Sequence, residues 1–345
     1  MIRDRKPGFR FVAFAIGLCA VVIILGAWTR LVDAGLGCPD WPGCYGFAGI
    51  PMSAERIERA EMRFPDAPVE VDKAWPEMIH RYFAGTLGLV ILALAILAWR
   101  RRQHEDQPVV LPVVLLGVVI VQAAFGAWTV TLKLWPQVVT AHLLGGFLTL
   151  SLLWLLFLQL GWRRQPATGE LASALARLRP WVVVGIVLLV AQIALGGWVS
   201  SNYAALACPD FPTCQGRWWP EADFAHGFNL LQEVGPNYLG GLMYSEGRIA
   251  IHLTHRLGAI AVTLVLGLIG WRLWRAPRSW QLAPLGITLA AVLLLQLLLG
   301  VANVVFSLPL LVATAHNAIA AVLLLVMVTI NHRVRAGRTS SGIGA

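Results

Sequence analysis

The sequence predicts an all-α polytopic membrane protein. Its eight transmembrane helices would form two tandem, parallel-oriented four-helix bundles related by a pseudo-twofold axis along the membrane normal. Three observations carry that reading. First, 58% of the 345 residues are hydrophobic and 13% are charged, and the mean hydropathy is +0.70, well outside the profile of a soluble globular chain. Second, apolar runs of about 20 residues, the length that crosses a hydrocarbon core, recur along the whole chain. Third, the chain repeats itself: residues 26–46 read GAWTRLVDAGLGCPDWPGCYG and residues 196–216 read GGWVSSNYAALACPDFPTCQG, ten identities in 21 positions.

The apolar runs place spans near 11–31, 78–99, 109–131, 138–161, 181–201, 249–271, 282–304 and 310–330. The first is too long, and too well continued by the others, to be only a cleaved signal. Each half holds four spans, an even number, so both halves enter the membrane in the same orientation. The division falls in the polar, Arg-rich stretch 162–180, giving an N-terminal half over 1–170 and a C-terminal half over 171–345. Small residues such as Gly126, Gly145, Gly146 and Gly300 allow close helix approach.

The net charge of +9 is not a nucleic-acid footprint, because its distribution follows the spans. Arg3, Arg5, Lys6 and Arg10 precede the first, Arg100 to Arg102 follow the second, and Arg163, Arg164, Arg177 and Arg179 separate the fourth from the fifth. Arg272, Arg275 and Arg278 follow the sixth, and Arg333, Arg335 and Arg338 the eighth. These 17 of the 27 basic residues fall on one side, so the positive-inside bias makes both termini cytoplasmic. The long loops 32–76 and 202–248 then lie outside. They contain Cys38, Cys44, Cys208 and Cys214, whose C-x5-C spacing in an oxidising compartment reads as Cys38–Cys44 and Cys208–Cys214 disulfides rather than zinc sites, with a redox-active or free thiol pair as the alternative. Cys19 sits mid-span as a buried small residue. Residues 53–64 mix charged and apolar side chains, as in a short amphipathic helix over the outer mouth or in a solvated loop helix.

The repeat also carries histidines. His80-Arg81 returns as His255-Arg256, and Thr140-Ala141-His142 as Thr314-Ala315-His316. Counted back from the far ends of their helices at about 1.5 Å per residue, His80, His142, His255 and His316 share one depth near the outer edge of the hydrocarbon core. Ionisable groups there are costly and usually functional. Two imidazoles on facing helices suit the axial positions of haem iron; zinc wants further ligands, and a proton relay does not explain the repeat-matched pairing. His104, His226 and His332 read as solvated side chains. Glu77 lies three residues before His80, on the same helical face, where the second half has His252. Arg81 and Arg256 are placed to meet anionic groups such as haem propionates or to snorkel to the interface. Arg30 becomes Ser200 and Lys133 becomes Ser307 in the second half, so the copies keep their histidines and diverge around them.

Over essentially all eight spans the chain resembles the haem A synthase family. The resemblance rests on Glu77-x-x-His80-Arg81, the repeated C-P-D-[WF]-P-x-C loop and the four histidines. It implies that His255 and His316, with Arg256, hold a resident haem b, and that His80 and His142, with Arg81, hold a haem O substrate. The implied reaction oxidises the C8 methyl of haem O to a formyl group by successive hydroxylations, through a gem-diol that loses water, with Glu77 as acid or base. It implies a redox or structural role for the cysteine pairs. His252, standing where the first half has Glu77, is a local alternative ligand in the second half. Implied partners are the lipid bilayer, a haem O synthase and the assembly of cytochrome oxidase, in a bacterial-type inner membrane. No nucleotide or flavin fingerprint is present, so an unidentified membrane or protein partner is expected to donate electrons. The same ligands would serve a dihaem b-type electron-transfer cytochrome or a haem carrier; the Glu77/His252 difference favours one catalytic and one accessory site.

Overall fold

A computed structural model describes residues 2–3, 6–104, 107–163 and 167–335. Arg5, Arg164 and Arg338 of the basic set lie outside the described residues. Eight helices, among the described residues, are long and apolar enough to cross a membrane, and the protein is a multi-pass membrane protein. They are α1 (Phe9–Leu31), α3 (Val71–Arg100), α4 (Val110–Thr131), α5 (Pro136–Gly161), α6 (Gly169–Ser201), α8 (Ser245–Trp274), α9 (Ala283–Val305) and α10 (Leu310–Val334). Two short helices, α2 (Ala54–Arg63) and α7 (Phe224–Gly227), belong to the long loops.

All eight expected spans form, and three begin four or more residues earlier than hydropathy places them. α3 starts at Val71, α6 at Gly169 and α8 at Ser245. The added turns carry Asp72 and Lys73, Arg177 and Arg179, or Glu246 and Arg248. Hydropathy marks the apolar stretch only; backbone hydrogen bonding carries a helix onward past it. Pro76 and Pro180 are accommodated inside α3 and α6.

Within the first half α1, α3, α4 and α5 pack in a ring, each on its neighbours, and α6, α8, α9 and α10 repeat those pairings in the second. The halves meet through α1 on α10, α5 on α6, and α5 on α10. At the seam, repeat-equivalent residues touch one another. Arg30 donates to the Ser200 carbonyl at 2.6 Å, and the Tyr203 hydroxyl donates to Asp33 Oδ1 at 3.0 Å. Contact between equivalent positions is compatible with a twofold relation whose axis passes near them. One continuous apolar core runs through both halves, including Leu153 and Leu156 of α5, Leu189 of α6, Leu266 and Ile269 of α8 and Met327 of α10.

The repeat extends to the backbone. After α1 and α6 the chain turns through left-handed Asp33 and Tyr203, at φ 52° and 54°. Lys133-Leu134 and Ser307-Leu308 make the corresponding turns after α4 and α9, at φ 56° and 63° and at φ 54° and 63°. At the opposite end, β1 (Ile2–Arg3) pairs antiparallel with β2 (Trp162–Arg163). The N-terminus therefore sits beside the α5–α6 connection, as an even number of spans between them demands.

Candidate functional site

His80 on α3 and His142 on α5 face each other across the first half, their ring centroids 6.4 Å apart and their planes at 83°. Two metal–nitrogen bonds of about 2 Å each, plus the nitrogen-to-centre distance of each ring, span about 6 Å, so the pair is spaced for one axially held iron. His255 on α8 and His316 on α10 are the second pair and lie within electrostatic reach of each other. Among the described residues no cluster of three or more His, Cys, Asp or Glu side chains is placed for a metal ion. Two-ligand sites suit an iron whose other positions are filled by a porphyrin.

Each ring lies over a glycine of the neighbouring helix. A Cβ on Gly26 would stand 3.0 Å from His80 Cε1, and one on Gly126 3.5 Å from His142 Cε1. In the second half a Cβ on Gly196 would stand 3.3 Å from His255 and one on Gly300 3.1 Å from His316. Gly126 and Gly300 do more than allow close helix approach. They seat imidazoles, and the glycines opening the doubled motif do the same; their presence at matching repeat positions was the available signal. His80, His142 and His316 each keep a buried Nδ1 without a partner, a state that suits side chains organised around an absent group. The spacing of the first pair fits an axially held iron, and the second half repeats its histidines and glycine seats.

Glu77, 5% exposed, lies one turn before His80. Its Oε2 accepts the Cys38 N–H at 3.0 Å, and its Oε1 forms an ion pair with Arg81. Arg81 also donates to the Asp40 carbonyl at 2.9 Å and to the Gly43 carbonyl. The pair thus clamps the Cys38–Cys44 loop onto α3, immediately beside His80. Both expected disulfides form. In the second half Arg256 donates to the carbonyls of Cys208 at 3.0 Å, Asp210 at 2.8 Å and Thr213 at 2.8 Å. His252 replaces Glu77 and places Nδ1 3.0 Å from the Ala204 carbonyl. Arg81 and Arg256 therefore direct their guanidinium groups at loop carbonyls.

The aspartate of the loop motif has a structural job that the motif's spacing does not reveal. Asp40 accepts the N–H groups of Tyr45 at 2.6 Å and Gly46 at 2.7 Å. Asp210 accepts those of Gln215 at 2.5 Å and Gly216 at 3.0 Å. The Thr213 hydroxyl, followed by those backbone donors, holds the Asp210 carboxyl below the usual range. In the first half, α2 packs Ala60 into a small core with Cys38, Cys44 and Tyr45, so the amphipathic segment folds onto the disulfide loop.

Two of the three histidines expected to be solvated are not. His332 is 3% exposed, because the last turns of α10 remain inside the bundle. His226 stacks on Tyr244 with ring centroids 5.1 Å apart and buries its Nε2, since α7 folds back onto α8. His104 is exposed as expected.

A family model, COX15-CtaA, described as cytochrome oxidase assembly protein, matches residues 9–328. The chain is 46% identical over 312 residues to the Heme A synthase of Shewanella oneidensis, covering 90% of this chain and 92% of that one. It is 28% identical over 334 residues to the Heme A synthase of Caulobacter vibrioides, covering 91% and 92%. With facing histidine pairs, glycine seats and clamped disulfide loops in both halves, the chain belongs to the COX15-CtaA family of cytochrome oxidase assembly proteins.

Proposed function

We propose that this protein is a haem A synthase, an oxidoreductase that converts the C8 methyl of haem O to a formyl group and so supplies haem A for cytochrome oxidase. The observation that carries the reading is the His80–His142 pair, at a ring separation of 6.4 Å, with the carboxylate of Glu77 one turn away on the same helix.

In this reading the N-terminal half, 1–170, is the substrate half. His80 and His142 hold the iron of haem O, while Gly26 and Gly126 keep the ring positions open. Glu77 is the group that moves or holds a proton at the reacting substituent. Its carboxylate keeps acceptor capacity beyond its bonds to Arg81 and the Cys38 N–H, and a carboxylate so placed acts in general acid–base chemistry. The C-terminal half, 171–345, keeps a haem b between His255 and His316, which supplies a store for electrons beside the substrate. Arg81 and Arg256 serve the two sites by fixing the disulfide loops beside His80 and His255. The protein is assigned to a bacterial inner membrane with both termini cytoplasmic and the disulfide loops outside. Its partners are a haem O synthase, the oxidase assembly route and a membrane or protein electron donor.

Co-expression with a haem O synthase, followed by extraction and chromatography of the haems, tests the reading. Haem A is the expected product. Folded protein that leaves only haem O would overturn it.

A further inference from the structure

The two halves repeat their helix pairings with one exception. α1 on α3, α4 on α5 and α1 on α5 pack about as extensively as their counterparts in the second half. α3 on α4 is the least extensive pairing inside either half, whereas its counterpart, α8 on α9, is among the most extensive. Glycine stands in opposite places on these two seams. On α8–α9, Gly270 and Gly286 let the backbones meet: a Cβ on Gly286 would stand 2.5 Å from the Gly270 carbonyl oxygen and 2.7 Å from the Trp274 backbone nitrogen. The repeat puts Ala95 and Pro112 at those positions of α3 and α4, and their side chains forbid so close an approach.

Nearer the histidines the pattern inverts. α3 has Gly85 and Gly88 where α8 has Ile260 and Thr263. Gly88 lies one turn before Leu92 and Gly85 two turns before it, on the face that Leu92, Ala95 and Ile96 turn toward Val113 and Leu116 of α4. A Cβ on Gly85 or Gly88, or on Gly117 of α4, would meet nothing within 4 Å. The space between His80 on α3 and His142 on α5 is bounded by α1 and α4, whose glycines lie against the two rings. α1 and α5 pack on the second half, so the α3–α4 seam looks away from it, toward the bilayer, with Leu89 and Ile120 exposed on its two helices. α3 and α4 are joined by residues 101–109, at the ends far from His80. At the histidine end α4 turns into α5 and α3 into the outer loop, so no connection closes the seam there.

We infer that the α3–α4 seam is the lateral passage by which a haem exchanges between the bilayer and the first histidine pair, while the closed α8–α9 seam keeps the second haem in place. The inference rests on the proposed function, in which the first haem arrives as substrate and leaves as product, and the second stays. Passage through the seam keeps the porphyrin in hydrocarbon and leaves the clamped Cys38–Cys44 loop shut. α3 leans away from α4 about their linked ends, and a stretch of seam with no side chains to separate yields at low cost.

Uptake of haemin from lipid vesicles by the protein in lipid nanodiscs, followed as growth of the Soret band over that of the resident haem, tests this. Gly85→Ile with Gly88→Thr writes the second half's residues into the gap. The pair should slow uptake about 10-fold, because opening must then break van der Waals contacts that glycine does not make, and should leave the spectrum at saturation unchanged. The reciprocal variant, Ile260→Gly and Thr263→Gly with Gly286→Ala, empties the second seam and parts its backbone contact. It should pass the resident haem to excess apomyoglobin about 10-fold faster than the wild type does, and it decides the matter if the first pair does not fold. Uptake at the wild-type rate in the first pair, or resident haem held as tightly as in the wild type in the reciprocal variant, overturns the inference while leaving haem A formation in co-expression intact. Wild-type protein that takes up haemin but forms no haem A in that experiment removes the functional reading and leaves the passage standing.

Discussion

The same disulfide loop is held down twice, by different chemistry. Above α3, Glu77 accepts a loop N–H and pairs with Arg81; above α8, His252 meets a loop carbonyl and Arg256 works without a carboxylate. The second half shows that an arginine bonding successive carbonyls, with a histidine in place of the carboxylate, seats a C-P-D-x-P-x-C loop on its helix. A buried carboxylate is costly to desolvate. Retaining one where the clamp forms without it points to a use other than folding, and Glu77 is the carboxylate one turn from His80, the proposed ligand.

The largest expected effects come from the ligands. His255→Ala should remove the resident haem and its Soret and α bands. His80→Ala should keep those bands and lose haem A formation, so that spectra and extracted haems together assign each half; the opposite result would exchange the two sites. Next in size is the carboxylate. Glu77→Ala leaves Arg81 uncompensated, which costs about 3–5 kcal/mol for a buried pair, readable as a lower thermal midpoint in detergent. Glu77→His is the sharper variant, because it writes the second half's residue into the first. It should restore much of that stability and still form no haem A, and haem A at wild-type levels would return Glu77 to a purely structural role.

The disulfides come third. Cys38→Ser and Cys208→Ser should each cost about 2–4 kcal/mol of local stability, read as faster proteolysis of the affected loop. If the Cys38–Cys44 bridge serves chemistry, Cys38→Ser alone will also lower haem A yield, whereas equal yields would make both bridges staples. The smallest effect is acidic. Asp210 has its folded pKa held below the ordinary 3.8, so its contribution is complete above that value and fades as pH falls through the depressed one. Thr213→Val should move loop opening, followed by limited proteolysis across acidic pH, to a higher pH. An unmoved profile would show that the backbone donors alone hold Asp210.

Much of the site was legible because the repeat aligned it. His80 with His255, His142 with His316 and the two cysteine pairs stand at matching positions, and duplication separates them from His104, His226 and His332. Solvent exposure was less legible. His332 follows the last expected span by two residues, yet the helix continues and keeps the side chain inside. The direction of Arg81 and Arg256 was also out of reach, since a guanidinium beside a membrane span can snorkel, meet an anion or bond a loop, and only the folded loop offers the carbonyls.

The sequence by itself determined the eight spans, the duplication, the paired histidines at one depth and the cysteines able to join across five residues. Those properties depend on hydrophobicity and spacing, which are read along one dimension. Tertiary structure decided that each histidine lies over a glycine, that Glu77 and Arg81 share a clamp, that Arg30 meets its own repeat partner Ser200, and that α3 and α4 pack less extensively than α8 and α9. These depend on the rotation of each helix about its axis and on which neighbour it packs against, quantities set by the packing of all eight helices together.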